Sequence, residues 1–538
     1  MNSPNDSSPV LVVGAGPVGL TMANELARHG VACRIVERAV EPSPTSRALA
    51  IFPRTLEVFE TMGVADRFLS EGHRLNGLSL HHRLAEIAKV DFNTVASPFP
   101  FALGLAQSET ERLLTERLGS FDIAVERGVE LTGFVQTSDA VSATLRHNDG
   151  REETLTPSWL IGCDGAHSTT RHILGMDFEG AQYDESFILA DVQLEPALAR
   201  DRVHLFLSED GVLGVIPFAR NRWRIVANIP PDSRDQTLPE VTLAEAQALI
   251  ARRGDAGMIA SDPSWTSRFE ISHRKVREFR RLRVFLAGDA AHIHSPAGGQ
   301  GMNTGIQDAF NLAWKIALVV RGRAPAQLLA SYQVEREPVA TGVLNLTDRI
   351  TRLATVRNSV AQSVRDFFLP VVSGLDIVSG KIADRLAGLS VSYRDSPIVE
   401  HHGSGRLRAG DRAPDAELRD ENNRARRIFE LIREPRHVLL VFLGAQGNAA
   451  AESAEQIGSV QASFPNDLID IQRITRGRGG ASAELRDLSG LAHAAYGLLN
   501  GGLALVRPDG YLAYRSDDFD LVKLRTYLER VFTSSSSA

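Results

Sequence analysis

GDAAHIHSPAGGQGMNTGIQDAFNLAWK, residues 288–315, joins an apolar strand to a long amphipathic helix through a glycine-rich loop. Leu282 to Ala287 (LRVFLA), just upstream, reads as a short buried strand ending at Gly288-Asp289. Downstream, Ala309, Leu312, Ala313, Ile316, Ala317 and Val320 fall at i, i+3, i+4, i+7, i+8 and i+11, one apolar helical face. Between them, Gly298, Gly299 and Gly301 leave backbone N–H groups open to a flat or anionic ligand ahead of a helix N-terminus. Asn303 or Thr304 is expected to cap that helix, with Thr304 and Gln307 at capping-box spacing. A strand, an acid and an N–H-rich loop in this order suit one end of a large cofactor.

The start of the chain carries a matching arrangement. Val10 to Val13 reads as a buried strand, followed at once by Gly14-Ala15-Gly16-Pro17-Val18-Gly19 and a helix with Leu20, Ala23, Leu26 and Ala27 on its apolar face. A further strand, Val31 to Val36, ends at Glu37. Strand, glycine turn, helix, strand and acid together are a dinucleotide-binding fingerprint, far more specific than a lone GxGxxG. The glycines permit a tight turn, close approach to a pyrophosphate and close helix packing, while the acid accepts hydrogen bonds from a ribose. Arg38 suits an adenine or phosphate, and equally a solvated surface position. Arg47 is open between a cofactor contact and a surface charge, and Gln107, opening the amphipathic run QSETERLLTERL, between a ribose contact and a simple cap. A third apolar strand, Trp159 to Cys163, ends at Asp164-Gly165 before a helix containing Arg171. Three strands thus end in an acid, at Glu37, Asp164 and Asp289, the pattern of one extended ligand lying across the carboxyl edge of a sheet.

Composition sets the bounds. A chain of 538 residues is too long for one core, so about two to four domains are expected. A net charge of −7 speaks against a nucleic-acid surface. Cys33 and Cys163 are the only cysteines and lie in apolar runs, which excludes a disulfide framework and a Cys-based metal site; no metal is expected. There is no apolar run of membrane-spanning length, and the polar start MNSPNDSSP lacks the features of a signal peptide, so a cytoplasmic location is expected.

Residues 123–160 hold strands Val141 to Arg146 and Glu153 to Leu155 around the turn His147-Asn148-Asp149-Gly150. From 180 to 280 the pattern changes to short strands at Phe187 to Gln193, Val203 to Leu207, Gly211 to Pro217 and Arg222 to Asn228, an antiparallel layer over the ligand edge. His204, Phe206, Phe218, Arg222 and Arg224 are candidates to line its pocket, although alternation turns about half of any strand outward. A helical region follows to about residue 390, and Gly403 to Gly410 reads as a linker. Beyond it lie strand His437 to Leu443, a helix near 450–463, strand Leu468 to Thr475, and a hairpin from Leu503 to Tyr514 turning at Arg507-Pro508-Asp509-Gly510.

GAGPVG with Glu37, CDGAHSTTR, and GDAAHIHSPAGGQGMNTGIQDAFNLAWK together resemble the flavoprotein aromatic hydroxylases of the para-hydroxybenzoate hydroxylase fold, over residues 8–390. LRAGDRAPD and LVRPDGYLAYR resemble the thioredoxin-like appendage of the phenol and polyketide hydroxylase branch. No cysteine follows residue 163, so Gly444-Ala445-Gln446-Gly447, where the active turn would fall, carries no dithiol. The resemblance implies an α/β fold: a Rossmann-like FAD-binding domain over 1–180 and 270–390, an inserted antiparallel-sheet substrate domain over 181–269 with parts of 75–105, and a C-terminal thioredoxin-like domain over 405–530.

The same resemblance implies FAD held at its ADP half by Gly14, Gly16, Pro17, Val18, Gly19, Glu37 and Arg38, with Arg47 and Gln107 near ribose and pyrophosphate. Asp289 would bind the ribityl chain, and Asp164 belongs to a segment associated with both FAD and the pyridine nucleotide. The loop from Pro296 to Asn303 would face the isoalloxazine, with Pro296 and Gly299 positioning it for catalysis and Gly301, Met302 and Asn303 completing the contacts. NADPH or NADH is implied as a transient reductant, and O2, by way of a flavin C4a-hydroperoxide, as the source of the oxygen transferred to a phenolic ring. A homodimer is a further expectation. The base that takes the phenolic proton stays open among His73, His81, His82 and His204, with His292 and His294 as secondary candidates. Two alternatives stand beside hydroxylation: Baeyer–Villiger oxygenation of a polyketide on the same fold, and a flavin-binding scaffold without turnover.

Overall fold

Val10–Val13 has no polar side chain and is buried on both faces, as a central parallel strand must be. It pairs in parallel with Cys33–Glu37 on one side and Leu160–Gly162 on the other. The structure, a computed structural model, describes residues 8–43, 48–82, 85–196, 198–219, 221–229, 241–294, 298–355, 376–444, 458, 460–476 and 484–533. Arg47, Pro296 and residues 445–447 of the expected active turn lie outside the described residues. Val284–Leu286 and Val125–Arg127 extend the parallel set outward, and Arg280–Arg281 adds an antiparallel edge. The chain runs outward in both directions from Val10–Val13, which places a topological switch point at its carboxyl end.

Helix Pro17–Arg28 packs against Gln300–Val320, the helix read from the glycine-rich loop. That helix begins earlier than expected. Gly299, at φ 64°, is its N-cap, and Asn303 lies a turn inside with its side chain used elsewhere. The strand before the loop is shorter than expected, because Leu282 adopts φ 51° in the turn between Arg280–Arg281 and Val284–Leu286.

The second sheet has eight strands, in the order His292–Ile293, Ile259–Lys275, Glu179–Glu195, Arg222–Ile229, Gly211–Phe218, Arg202–Ser208, Gly77–His82 and Ala85–Asp91. One face packs on helix Leu243–Arg253 through Ile188, Ala190, Phe206, Leu213, Val215 and Ile225. Two of its strands run for 17 residues each, far longer than the sequence signalled. Ile259–Lys275 (IASDPSWTSRFEISHRK) is polar, contains Pro263 and has few buried positions, so neither an apolar run nor clean alternation marks it.

The C-terminal sheet is built around His437–Leu443, parallel to Ile469–Arg476 and antiparallel to Gly502–Val506, which pairs with Leu512–Ser516. That is the strand arrangement of a thioredoxin-like unit. Glu400–His402, upstream of the expected linker, joins the same sheet beside Leu512–Ser516. The module docks where Trp314 and Leu318 of the long helix enter its core with Leu439, Val441 and Tyr514. Beside them lies a fully buried ionic cluster. Glu335 accepts hydrogen bonds from Lys315 Nζ at 2.7 Å and from both Arg507 terminal nitrogens at 2.7 and 2.9 Å. Among the described residues, no helix is long and apolar enough to cross a membrane.

Candidate active site

The three glycines of the first loop do three different jobs. Gly14 sits at φ 101°, where a Cβ would come within 2.5 Å of the Cys163 carbonyl oxygen. At Gly19 a Cβ would lie 1.9 Å from the Gly14 carbonyl oxygen, so this glycine sets how closely the helix meets the turn. Gly16 has nothing within 4 Å of its missing Cβ and lines a cavity. Glu37 stands behind the loop: its Oε2 accepts the Ala15 N–H and its Oε1 the Ala39 N–H, each at 2.9 Å. The acid thus pins the turn.

The cavity has a volume of about 1610 Å³ and runs from the carboxyl edge of the parallel sheet to the free face of the antiparallel one. Of the expected cofactor residues, Gly16, Pro17, Val18, Arg38, Gln107, Asp164, Asp289, Gly299, Gly301 and Met302 line it. Gly14, Gly19, Glu37 and Asn303 are not on its wall and shape it from behind. Asp164 accepts the Ser168 hydroxyl at 2.6 Å and both the Thr170 N–H and hydroxyl at 2.9 Å, which fixes it against the start of the Thr169–Ile173 helix. Asp289 is an exposed carboxylate on the wall. Gln107 accepts from the Ala48 N–H at 3.2 Å and donates to Glu111 at 2.9 Å. Asn303, buried, accepts the Phe52 N–H at 2.9 Å and donates to the Ala50 and Gly299 carbonyls at 2.8 and 3.0 Å. It ties the glycine loop to the Ala50–Ile51 strand.

These residues fit a dinucleotide cofactor on structural grounds. A glycine open to the cavity at a helix start, a second N–H-rich loop at the start of a long helix, and an acid at the end of each of two neighbouring parallel strands lie along one groove. Among the described residues, no cluster of His, Cys, Asp or Glu could hold a metal ion.

The other half of the cavity is an apolar wall. Phe187, Leu189, Val203, Leu205, Leu207, Val212, Ile216 and Val226 face it from neighbouring strands, with Arg224 among them. Of the five side chains expected from this layer, Arg224 alone lines the cavity, held by Asp191 in two hydrogen bonds of 2.8 Å. His204 and Phe206 fall on the opposite register of their strand, Phe206 in the core under Leu243–Arg253. Phe218 and Arg222 also lie off the wall, Arg222 paired with Asp262 at 2.8 Å. Alternation in Arg202–Ser208 was the signal, since a buried Phe206 turns Val203, Leu205 and Leu207 to the other face.

The histidines separate in the same way. His73, His81, His82 and His204 do not line the cavity, and His81 Nε2 lies 3.0 Å from His204 Nδ1 inside the fold. His294, a secondary candidate, does line it. It is 2.8 Å from His292, which in turn is 2.6 Å from Asp308. Burial pushes the Asp308 carboxyl up, but the Arg336 guanidinium and His292 outweigh it and hold it down at about 2. Burial also drives His294 well below the usual imidazole range, so it rests neutral.

Known proteins agree with this geometry. Residues 7–347 match the FAD binding domain family, and residues 407–535 match the family described as aromatic-ring hydroxylase, C-terminal. The chain is 37% identical to 6-methylpretetramide 4-monooxygenase of Streptomyces rimosus over 94% of its own length and 90% of that protein's. It is 33% identical to pentachlorophenol 4-monooxygenase of Sphingobium chlorophenolicum, over 96% and 95%. The solved structure of OxyS anhydrotetracycline hydroxylase from Streptomyces rimosus superposes with a TM-score of 0.79 at 29% identity, covering 98% of this chain and 99% of that one. With its glycine fingerprint, its cavity and its C-terminal module all in place, the chain belongs to the FAD-dependent aromatic-ring hydroxylases and is a flavoprotein monooxygenase.

Proposed function

We propose that the protein hydroxylates a phenolic substrate of several fused rings, using O2 and either NADH or NADPH. The observation that carries this is the size of the cavity. At about 1610 Å³ it exceeds the roughly 300–1,000 Å³ of a single small-molecule pocket. Its apolar wall crosses seven neighbouring strands, from Phe269 to Val90, or about 29 Å at the usual strand spacing. That length accommodates a flat multi-ring ligand beside a dinucleotide. Similarity to proteins named for 6-methylpretetramide and anhydrotetracycline supports the same reading.

Bound FAD supplies the redox and oxygen-transfer chemistry; the chain binds, orients and shields. Gly16 and the N–H groups of its turn would hold the pyrophosphate, Asp289 the ribityl hydroxyls, and Gly299, Gly301 and Met302 the ring system, with the helix N-terminus favouring negative charge there. The apolar wall keeps water from the reacting carbon. A homodimer and a cytoplasmic location, where reduced nicotinamide is available and the two buried thiols stay reduced, belong to the same reading.

The test is a comparison of substrates. Purified holoprotein is given NADH or NADPH with single-ring phenols on one side and hydroxylated anthraquinones and naphthacenes on the other. The expected result is nicotinamide oxidation stimulated at least about tenfold more by the multi-ring set, with products one oxygen heavier. Equal stimulation by simple phenols would contradict the proposed substrate class.

A further inference from the structure

Asp308, His292 and His294 form a file of hydrogen bonds whose last member lines the cavity. Asp308 Oδ1 accepts from Arg336 Nε at 2.6 Å, and Oδ2 accepts the Gly288 N–H at 3.1 Å and faces His292 Nε2 at 2.6 Å. A carboxylate with so low a pKa does not donate, so His292 carries its proton on Nε2. With no second proton on His292, its Nδ1 is an acceptor, and His294 donates to it from Nε2 across 2.8 Å. That leaves a lone pair on His294 Nδ1. Among the described residues this atom, itself buried, has no hydrogen-bond partner, and it belongs to a residue 8% exposed that lines the cavity. His292–Ile293 is the edge strand of the antiparallel sheet, and Gly299 opens the long helix a few residues on. His294 therefore stands at the seam between the apolar wall and the glycine loop.

We propose that His294 takes the proton from the substrate's phenolic hydroxyl. The inference rests on the reading of the substrate as a phenol. The O–H bond breaks as the proton moves to His294 Nδ1; the His294 Nε2 proton passes to His292 Nδ1; His292, now an imidazolium, keeps its Nε2–H on Asp308. The substrate is left as a phenolate, the electron-rich form that accepts an electrophilic oxygen. Other charges around the file are already matched or set apart. Arg336 balances Asp308, Lys275 is bonded to Glu337 and Thr341, and Arg171 donates to the Ala290 and Ala166 carbonyls. Arg274, on the strand paired with Ile293, lines the same cavity and favours an anion there. Phe279 stacks on His292 with ring centroids 5.7 Å apart and keeps water from it. In this relay the pair gains one positive charge opposite the phenolate.

The test needs no turnover. FAD-loaded protein, without reductant, is titrated against pH with bound alizarin (1,2-dihydroxyanthraquinone), whose anion absorbs to the red of oxidised flavin, and in parallel with 4-nitrophenol. In the wild type the bound phenol should ionise at least about one pH unit below the free one, tenfold more phenolate at a given pH. H294A should lose that shift while keeping its flavin spectrum, and added imidazole should restore it. Should H294A fail to fold, His292→Gln interrupts the same relay one step back and should lose the shift. Ionisation unchanged in the variants, or lost in H294A and not restored by imidazole, overturns the assignment to His294. Failure of both phenols to bind the wild type overturns the phenolic reading instead, and the inference with it.

Discussion

Gly16 and Gly19 differ by three positions in the chain and by everything in their surroundings. A Cβ at Gly16 has no protein atom within 4 Å, so Gly16→Ala should fold normally, with an unchanged thermal midpoint, and bind FAD at least about tenfold more weakly. Gly19→Ala drives a methyl group onto a backbone carbonyl and should cost at least about 2 kcal/mol of stability. Differential scanning calorimetry with and without FAD separates the two. The fingerprint was fully legible in the sequence because each glycine's role depends on local spacing. Glu37 was legible as an acid at a strand end, but its use in pinning Ala15 and Ala39 was not, since that requires the loop's three-dimensional course. Asp308 lay inside an apolar helical pattern, and nothing in that pattern marked its partners, 16 and 28 residues away. Its folded pKa of about 2 lies below the ordinary 3.8, so its stabilising contribution is complete above the ordinary value and is lost as pH falls through about 2. That contribution is roughly 2 kcal/mol. Asp308→Asn should therefore flatten the fall in thermal midpoint between pH 3.8 and about 2 relative to the wild type.

At the scale of elements, the long helix depends on a side chain outside its expected place. Asn303 was expected at the cap; it instead joins the helix to the Ala50–Ile51 strand and to Phe52. Asn303→Ala leaves the Phe52 N–H and Ala50 carbonyl without that partner, and should cost about 1–3 kcal/mol. Because the same residue holds Gly299, FAD release should quicken in stopped-flow measurements; an unchanged release rate would show that the loop keeps its shape alone. Four of the five parallel strands were legible as buried apolar runs ending in glycine or acid, to within about two residues at each end; Val125–Arg127, half-buried and carrying Glu126 and Arg127, was not. The antiparallel layer was read only in part. Its strands are amphipathic, and the sequence does not say which register faces the ligand until the covering helix Leu243–Arg253 fixes the core side. Phe187 to Gln193 was legible as a strand, but the polar first half of Glu179–Glu195 and nearly all of Ile259–Lys275 are strands through their pairing with each other rather than through their composition.

For the whole molecule, the C-terminal module has no dithiol and instead supplies Arg507 and Asp509 to a buried cluster against the FAD-binding part. Arg507 bonds Glu335 and Asp509, and Asp509 accepts the Trp314 indole N–H at 3.1 Å. Arg336, next to Glu335 on the same helix, holds Asp308, so the module braces the helix that supports the His292–His294 pair. Arg507→Ala should cost about 3–5 kcal/mol by leaving buried carboxylates short of a partner, and should expose the module to limited proteolysis. The turn Arg507-Pro508-Asp509-Gly510 was legible as a hairpin turn; its burial was not, because the partners sit more than 170 residues away. The account's central claim, that the chain is an FAD-dependent monooxygenase of aromatic rings, is tested most directly by turnover under 18O2. Holoprotein with NAD(P)H and a hydroxyanthraquinone should yield a product carrying one 18O atom as a new ring hydroxyl, identified by mass and NMR. A product labelled in an inserted ester oxygen, or nicotinamide oxidation that yields hydrogen peroxide with every phenol and leaves the ring unlabelled, would contradict it.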